Sequence, residues 1–508
     1  MQPLVRVAVV QAARSIEFTL SSEANVTDET GSKLGVLPRN SQWMVSPSNS
    51  VPGKTLYFLV AASMSTEEKA RESARNLSLQ GFEIFVEPFQ KKTADPSGSV
   101  FETVHRVYLK KAFDTAEEAR AFRDSIKPKL ETFLSPRVLQ APGGLVRMVD
   151  SKSRQEIVSV HPLRIEGADV IVTDVPVGTG FHWERKEIRT YPGDMEFALD
   201  NGGLLRAVNI LPLEEYLKGV LPSEMPEGFP IEALKTQAIA ARSEALFKKG
   251  IVHASEGFDF CADVHCQVYS GLTRRAPSTD RAVESTAGLV LMHGGGICDA
   301  VYSSVCGGHT EDCHRVWGGE PKSYLHGVPD SRGRGTPLSN ERNAERWIRS
   351  EPESNCRVRE RYILPSLAYT EKYFRWKVRL SQEDLCRTLR ERAGWDGGAV
   401  IDLVPMERGV SGRILRLKIK GQTNESFLEG ELLIRRSLSQ TVLWSSCFLA
   451  SPEDSMDGIP AAFVLEGAGW GHGVGMCQTG AAVMALKGKH YQEILRHYYQ
   501  GSRIQKLY

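Results

Sequence analysis

The first half of this chain contains no cysteine: all nine fall from position 261 onward. An odd number placed this late excludes a small disulfide-stapled scaffold. An excess of charge is also missing. Lys and Arg together number 63 against 62 for Asp and Glu, so there is no electrostatic case for bulk nucleic-acid binding. No apolar run approaches the roughly 18–20 residues that span a bilayer. The opening stretch, MQPLVRVAVVQAARSIEFTL, lacks a basic start, a long apolar centre and a small-residue cleavage site. It does not read as a secretory signal and alternates like one or two strands. The length, 508 residues, allows two to four domains with sizeable cores.

What is present falls into segments. Residues 1–54 read as N-terminal strands followed by a polar Ser/Asn/Pro-rich linker. Residues 55–130 hold an internal repeat. LVAASMSTEEKARESARNL from Leu59 and YLKKAFDTAEEARAFRDSI from Tyr108 each give an apolar strand, a threonine cap with acids in the first turn, and an Ala/Arg helix. At an offset of 49, Thr66 falls on Thr115, Glu68 on Glu117 and Ala70 on Ala119. Two tandem strand–helix units predict a four-stranded sheet with two helices. QAPGG at 140–144 marks a linker. Residues 145–508 then mix strand runs up to about 210 with helices, the strongest being PIEALKTQAIAARSEALFKKG, and return to strands with a short helix over 370–450. The expected fold class is α+β and multi-domain.

Three stretches could carry chemistry. In LPSEMPEGFP, 221–230, Glu224 lies between Pro222 and Pro226, with Met225 beside it. On pattern alone this fits a solvated loop acid. It also fits a general acid, because apolar neighbours raise a carboxyl pKa and prolines stiffen the loop. On the helix that follows, Lys235, Gln237 and Arg242 are polar residues in an Ala-rich run, and Lys235 and Arg242 share a face.

CADVHCQVYSG, 261–271, places Cys261, His265 and Cys266 at spacings that suit zinc. His253, Cys306, His309, Cys313 and His314 are candidates to complete the ligand set. No CxxC pair is present, so a Cys261–Cys266 or Cys306–Cys313 disulfide and buried free thiols stay open as alternatives. GAGWGHGVGMCQTGAAVMALKG, 467–488, alternates glycine with Trp470, His472, Val474 and Met476 ahead of Gln478. Such a loop permits close approach to a ligand. With no Gly-Lys-Ser/Thr end it is not a phosphate loop.

The tandem repeat resembles the SPOR domain, a module that binds septal or denuded peptidoglycan. The larger part resembles the SpoIID/LytB family, which includes the sporulation stage II protein D, a peptidoglycan lytic transglycosylase, and the amidase enhancer LytB. The blocks that carry this resemblance, in order over about 190–508, begin with YLKGVLPSEMP and EALKTQAIAARSEAL. HCQVYSG, YSSVCGGHTEDCHRVWGG and GWGHGVGMCQTGAAVMALKGKHYQEILRHYYQG follow. Cys477 departs from the serine common at that place. The opening strands also resemble the start of such proteins, which would make the repeat an insertion.

The resemblance implies that Glu224 is the catalytic acid. It implies substrate contacts from Lys235, Gln237 and Arg242 on the helix, from Gln267 and Tyr269 in the QVY segment, and from His472 and Gln478. Some members of the family bind zinc near the QVY segment, and the CADVHC stretch resembles that subgroup; the expected ligands of a structural zinc are Cys261, His265 and Cys266, with Cys306 added from its place downstream. The substrate class would be peptidoglycan glycan strands, the location extracytoplasmic, and a cell-wall amidase a partner. A lone acid suffices for a lytic transglycosylase, because the substrate's own 6-hydroxyl is the nucleophile, whereas ordinary glycoside hydrolysis uses two carboxyls. The alternative is a non-catalytic wall-binding amidase enhancer. A zinc hydrolase is a third reading, which needs an open zinc position and a nearby base.

Overall fold

The computed structural model describes residues 2–95, 98–126, 130, 132–179, 184–253, 255–331, 338–358 and 364–508. The polar stretch before residue 54 is not a linker. Ala24–Thr27, Lys33–Leu37 and Gln42–Val51 are strands, and Leu4–Ala13 pairs antiparallel with Leu205–Pro212. Alternation explains this: in Gln42–Val51, Trp43 and Val45 are fully buried while Met44 faces out.

Two sheets result, of seven and six strands. Phe18 of one stacks on Phe197 of the other with ring centroids 5.2 Å apart. Phe260–Cys261 joins the edge of the seven-stranded sheet, parallel to Val7–Ala8. The cysteine-rich segment therefore starts from a fixed sheet edge.

The repeat interrupts this host. Gln42–Val51 and Gly143–Asp150 pair antiparallel, and everything between them is inserted where that pair ends. The insertion is an antiparallel sheet of four strands, in the order Ile84–Asp95, Gly98–Phe113, Lys54–Met64, Phe133–Gln140. Helices Glu67–Leu79 and Ala116–Ile126 pack on it. This is the split βαβ arrangement. The fourth strand extends it past residue 130.

The repeat equivalences hold in detail. The Thr66 side chain caps the first helix by accepting from Lys69 N, and Thr115 accepts from Glu118 N. Ala70 and Ala119 are both fully buried.

After the sheets, helix Leu213–Glu224 leads to helix Ile231–Lys248. The second is buried nearly all round from Ala233 to Ala245, polar residues included. An apolar stripe would have put one face in solvent; instead this helix runs through the middle of the domain and its polar side chains are held by neighbours. A further lobe carries two three-stranded sheets: Trp376–Ser381 with Ala462–Gly467 and Phe448–Glu453, and Val400–Arg408 with Ile414–Gly421 and Glu425–Glu429. Helix Gln382–Ala393 and a second helix, Glu431–Leu438, pack against them.

Candidate active site and metal centre

Glu224 is not in a loop. It is the last residue of helix Leu213–Glu224, with Pro222 inside the final turn. A helix C-terminus exposes unpaired carbonyls and disfavours negative charge. The carboxyl is half-buried, and its Oε1 accepts the Val268 main-chain N–H at 3.0 Å. Burial pushes its pKa up to about 7; the Val268 N–H opposes that shift and the Glu244 carboxylate adds to it. The neighbouring Met225 is fully buried, and Ser223 donates to Ser270 Oγ at 3.0 Å.

Behind Glu224 lies a buried polar network that the sequence did not disclose. Gln267 Nε2 donates to Glu244 Oε2 at 2.9 Å and to the Ala241 carbonyl, and Gln267 Oε1 accepts from Tyr216. Lys248 Nζ meets the other Glu244 oxygen at 2.5 Å. Glu244 is a second carboxylate, but its oxygens are held by Lys248 and Gln267 and it is buried. It sets the field at Glu224 rather than reaching a ligand.

The glycine-rich loop comes to the same place. Gln478 Nε2 donates to the Glu224 carbonyl at 3.0 Å and to Gln237 Oε1 at 3.3 Å. His472 accepts the Val474 N–H at Nδ1, so its proton sits on Nε2. Burial, with Arg413 and Arg435, pushes the imidazole down to about 3, so it is neutral. Its ring lies 4.9 Å from that of Trp317, which is 55% exposed. The loop can take this path only with glycine. At Gly475, φ is +72° and a Cβ would stand 2.0 Å from the Val301 carbonyl oxygen.

Several expected substrate contacts are corrected by burial. Arg242 is fully buried, bound through Nε and Nη2 to Glu214 at 2.8 and 2.6 Å, and donates to the Leu289 carbonyl. Tyr269 is fully buried with its hydroxyl on Asn209 at 2.7 Å. Gln237 and Gln267 are buried supports of the site. Lys235 pairs with Glu232 at 2.8 Å and borders a different groove, with Ile231, Arg281 and Glu284. Arg242, Tyr269, Gln237 and Gln267 hold the frame; Gln478, itself buried, ties the glycine-rich loop to the Glu224 carbonyl, and half-buried His472 lies on the same loop.

The metal-ligand expectation is corrected in one member. His253, Cys261, His265 and Cys266 bring their ligand atoms within 4.8 Å of one another, and Cys306 belongs to a separate group. Cys266 Sγ is 3.4 Å from His253 Nε2 and 3.5 Å from His265 Nδ1, and Cys261 Sγ is 3.9 Å from His265 Nδ1. His253 Nδ1 is fixed by Glu256 Oε1 at 2.8 Å, which turns Nε2 towards the sulfurs. Two thiolates and two imidazoles in this array suit zinc. His309, Cys313 and His314 join neither of the two ligand groups found among the described residues. The same segment continues directly into Gln267 and Val268, so the His/Cys centre and the Val268 N–H on Glu224 are one structural unit.

Comparison with known proteins agrees with this geometry. Residues 201–293 match the family model described as SpoIID, stage II sporulation protein. That stretch contains Glu224, the helix after it, the His/Cys centre and Val268. An uncharacterised protein of Brachyspira hyodysenteriae is 30% identical over 318 residues, 62% of this chain and 72% of that protein. The chain belongs to the SpoIID/LytB family.

The stage II sporulation protein D of Bacillus subtilis is 26% identical to this SpoIID/LytB chain over 314 residues, 59% of the chain and 76% of that protein. The amidase enhancer of the same organism is 29% identical over 306 residues, 57% of this chain but only 40% of the enhancer's length. Residues 311–475 of the SpoIID/LytB chain match a domain of unknown function, DUF8618. No helix among the described residues is long and apolar enough to cross a membrane.

Proposed function

We propose that the protein is a peptidoglycan lytic transglycosylase in which Glu224 is both acid and base. The observation that carries this reading is the Glu224 carboxyl itself: half-buried, held through one oxygen by Val268 N–H, and half-protonated near pH 7. Val268 takes Oε1, leaving Oε2 for the proton. That proton goes to the glycosidic oxygen between N-acetylmuramic acid and N-acetylglucosamine as the bond to the anomeric carbon breaks. The muramic 6-hydroxyl then attacks that carbon and its proton passes to the Glu224 carboxylate, which closes the 1,6-anhydro ring and regenerates the acid. The nucleophile is intramolecular, so no second carboxylate is required. Glu244, held by Lys248 and Gln267, is not asked to act as one.

Trp317, flanked by the half-buried His472, offers an exposed aromatic face of the kind that stacks on a sugar ring. A cavity of about 910 Å³ adjoins it, lined by His314, Arg315 and Trp317 on one side and by Arg123 and Phe133 of the inserted module on the other. In this reading the module, which we take as SPOR-like, guides a glycan strand towards Glu224. Zinc suits His253, Cys261, His265 and Cys266. When bound it would close four protein ligands and brace the segment leading to Val268, without an open position for hydrolytic chemistry. The setting is extracytoplasmic, where the glycan is.

The test is digestion of purified, peptide-free glycan followed by mass spectrometry. Products ending in 1,6-anhydro-muramic acid, lost with Glu224→Gln, are expected. Reducing ends would point to hydrolysis and overturn the mechanism. The similarity to an amidase enhancer supports a second reading: no cleavage, with stimulation of an added cell-wall amidase, would favour a wall-binding enhancer.

A further inference from the structure

Three of the seven cysteines that the His/Cys centre does not use are gathered in one place. Cys306, Cys356 and Cys477 converge with Asp330, and one ligand atom from each lies within 4.8 Å of all the others. All four side chains are buried, none more than 2% exposed. They come from four separate segments: the loop after strand Tyr302–Ser303, the VPD turn, the stretch after helix Glu341–Arg349, and the N-cap of helix Gln478–Leu486.

Several features mark this as a ligand set rather than as packed thiols. Cys306 Sγ and Cys356 Sγ are 3.6 Å apart. Two thiolates bound to one tetrahedral zinc at ordinary bond lengths stand about 3.8 Å apart, whereas a disulfide would need them at about 2.05 Å. Cys477 Sγ accepts two main-chain N–H groups, from Cys306 at 3.2 Å and Gly480 at 3.4 Å. Amide donors aimed at a buried sulfur suit a thiolate and orient it.

Asp330 is oriented in the same manner. Tyr498 donates to Oδ1 at 2.6 Å, with Asn355 Nδ2 at 3.4 Å; Cys356 N donates to Oδ2 at 2.7 Å and Ser354 Oγ at 3.0 Å. Ser354 Oγ also lies 3.3 Å from Cys356 Sγ. These donors offset part of the cost of burying a carboxylate, and a cation among the three thiols would balance its charge. Three thiolates and one carboxylate around a dication carry the same formal charge as an ordinary four-cysteine zinc site. The Arg413 guanidinium adds positive charge nearby, donating to the Cys306 carbonyl at 3.3 Å.

We propose that Cys306, Asp330, Cys356 and Cys477 form a second, structural metal site for one thiophilic divalent cation, zinc by the donor set. A single ion fits because the ligand atoms are too close together to enclose a multi-iron cluster. The site fastens the N-cap of helix Gln478–Leu486, and the next residue, Gln478, holds the Glu224 carbonyl. It would therefore set the position of the glycine-rich loop. The metal assignment itself does not depend on what Glu224 does.

The test is metal stoichiometry of the purified full-length chain by non-denaturing mass spectrometry, with elemental analysis. Two zinc ions per chain are expected, and one should persist in the double variant Cys261→Ser/Cys266→Ser. Cys356→Ser should lose one ion while keeping the other. If that variant does not fold, protein grown in cobalt-supplemented medium decides. Its sulfur-to-cobalt charge-transfer absorbance should correspond to five thiolates, two from Cys261 and Cys266 and three from Cys306, Cys356 and Cys477. One ion per chain with two-thiolate absorbance would overturn the proposal. So would an intact mass two hydrogens light, which would show a disulfide in this cluster.

Discussion

The main-chain N–H of Val268 donates to Glu224 Oε1 at 3.0 Å, joining residues 44 positions apart. The contact ties the end of one helix to the segment that leaves the His/Cys centre. It stabilises the carboxylate, yet burial and Glu244 outweigh it, and the pKa stands near 7. The protonation of Glu224 is thus set by tertiary neighbours, and this has measurable consequences.

A carboxyl raised from 4.5 to about 7 costs stability when ionised. The folded state binds more protons than the unfolded chain between those values, so this group's contribution to stability falls as pH rises from 4.5 through 7. Glu224→Gln is expected to raise stability at pH 8 by about 1–3 kcal/mol, with the difference vanishing near pH 4. Urea unfolding of both proteins at the two pH values checks this. A variant less stable at pH 8 would show that the carboxyl ionises without penalty. The same pKa predicts that glycan cleavage falls above about pH 7, as the acid form is lost.

Gly475→Ala is expected to destabilise by about 2–4 kcal/mol. The added methyl meets the Val301 carbonyl at a left-handed backbone angle. Gly294→Ala is the control: its φ is +56° but the space around it is open, so only the smaller backbone cost should appear. Thermal melts of the two variants separate steric from conformational cost.

Trp317→Ala should leave the melting temperature nearly unchanged, because the side chain is 55% exposed. If its face receives a sugar ring, KM for glycan rises about three- to tenfold with kcat little altered, from the loss of about 1 kcal/mol of stacking. An unchanged KM would place the strand elsewhere.

If His253, Cys261, His265 and Cys266 hold zinc as proposed, disrupting that centre should act through Val268. Cys266→Ser is expected to lower the melting temperature by several degrees and cleavage by at least tenfold, while far-ultraviolet circular dichroism keeps most of its signal. Unaltered cleavage in the Cys266→Ser variant would detach the centre from the site.

Much of the local structure was legible in the sequence. The 49-residue repeat shows in the chain because each unit carries its own cap and its own small buried residue. Thr66 and Thr115, and Ala70 and Ala119, play the same parts in the fold. Glu224 stood out by its prolines and the glycine loop by its alternation, and both signals are local. Polar residues on the central helix misled, because the sequence shows that Arg242 is polar but not that Glu214, 28 positions earlier, holds it inside. The same limit applied to Cys306. Spacing joined it to Cys261 and Cys266, but the chain carries it to Cys356 and Cys477.

The sequence by itself determined the repeat with its caps and most helices and strands, and drew attention to Glu224 as a candidate, since these rest on propensity, capping and residue chemistry within short windows. Only the tertiary structure decided which cysteines share a centre, which polar side chains are buried, and that Glu224 ends a helix under a main-chain donor. Those are facts of long-range pairing, set when segments hundreds of residues apart bury their apolar faces together.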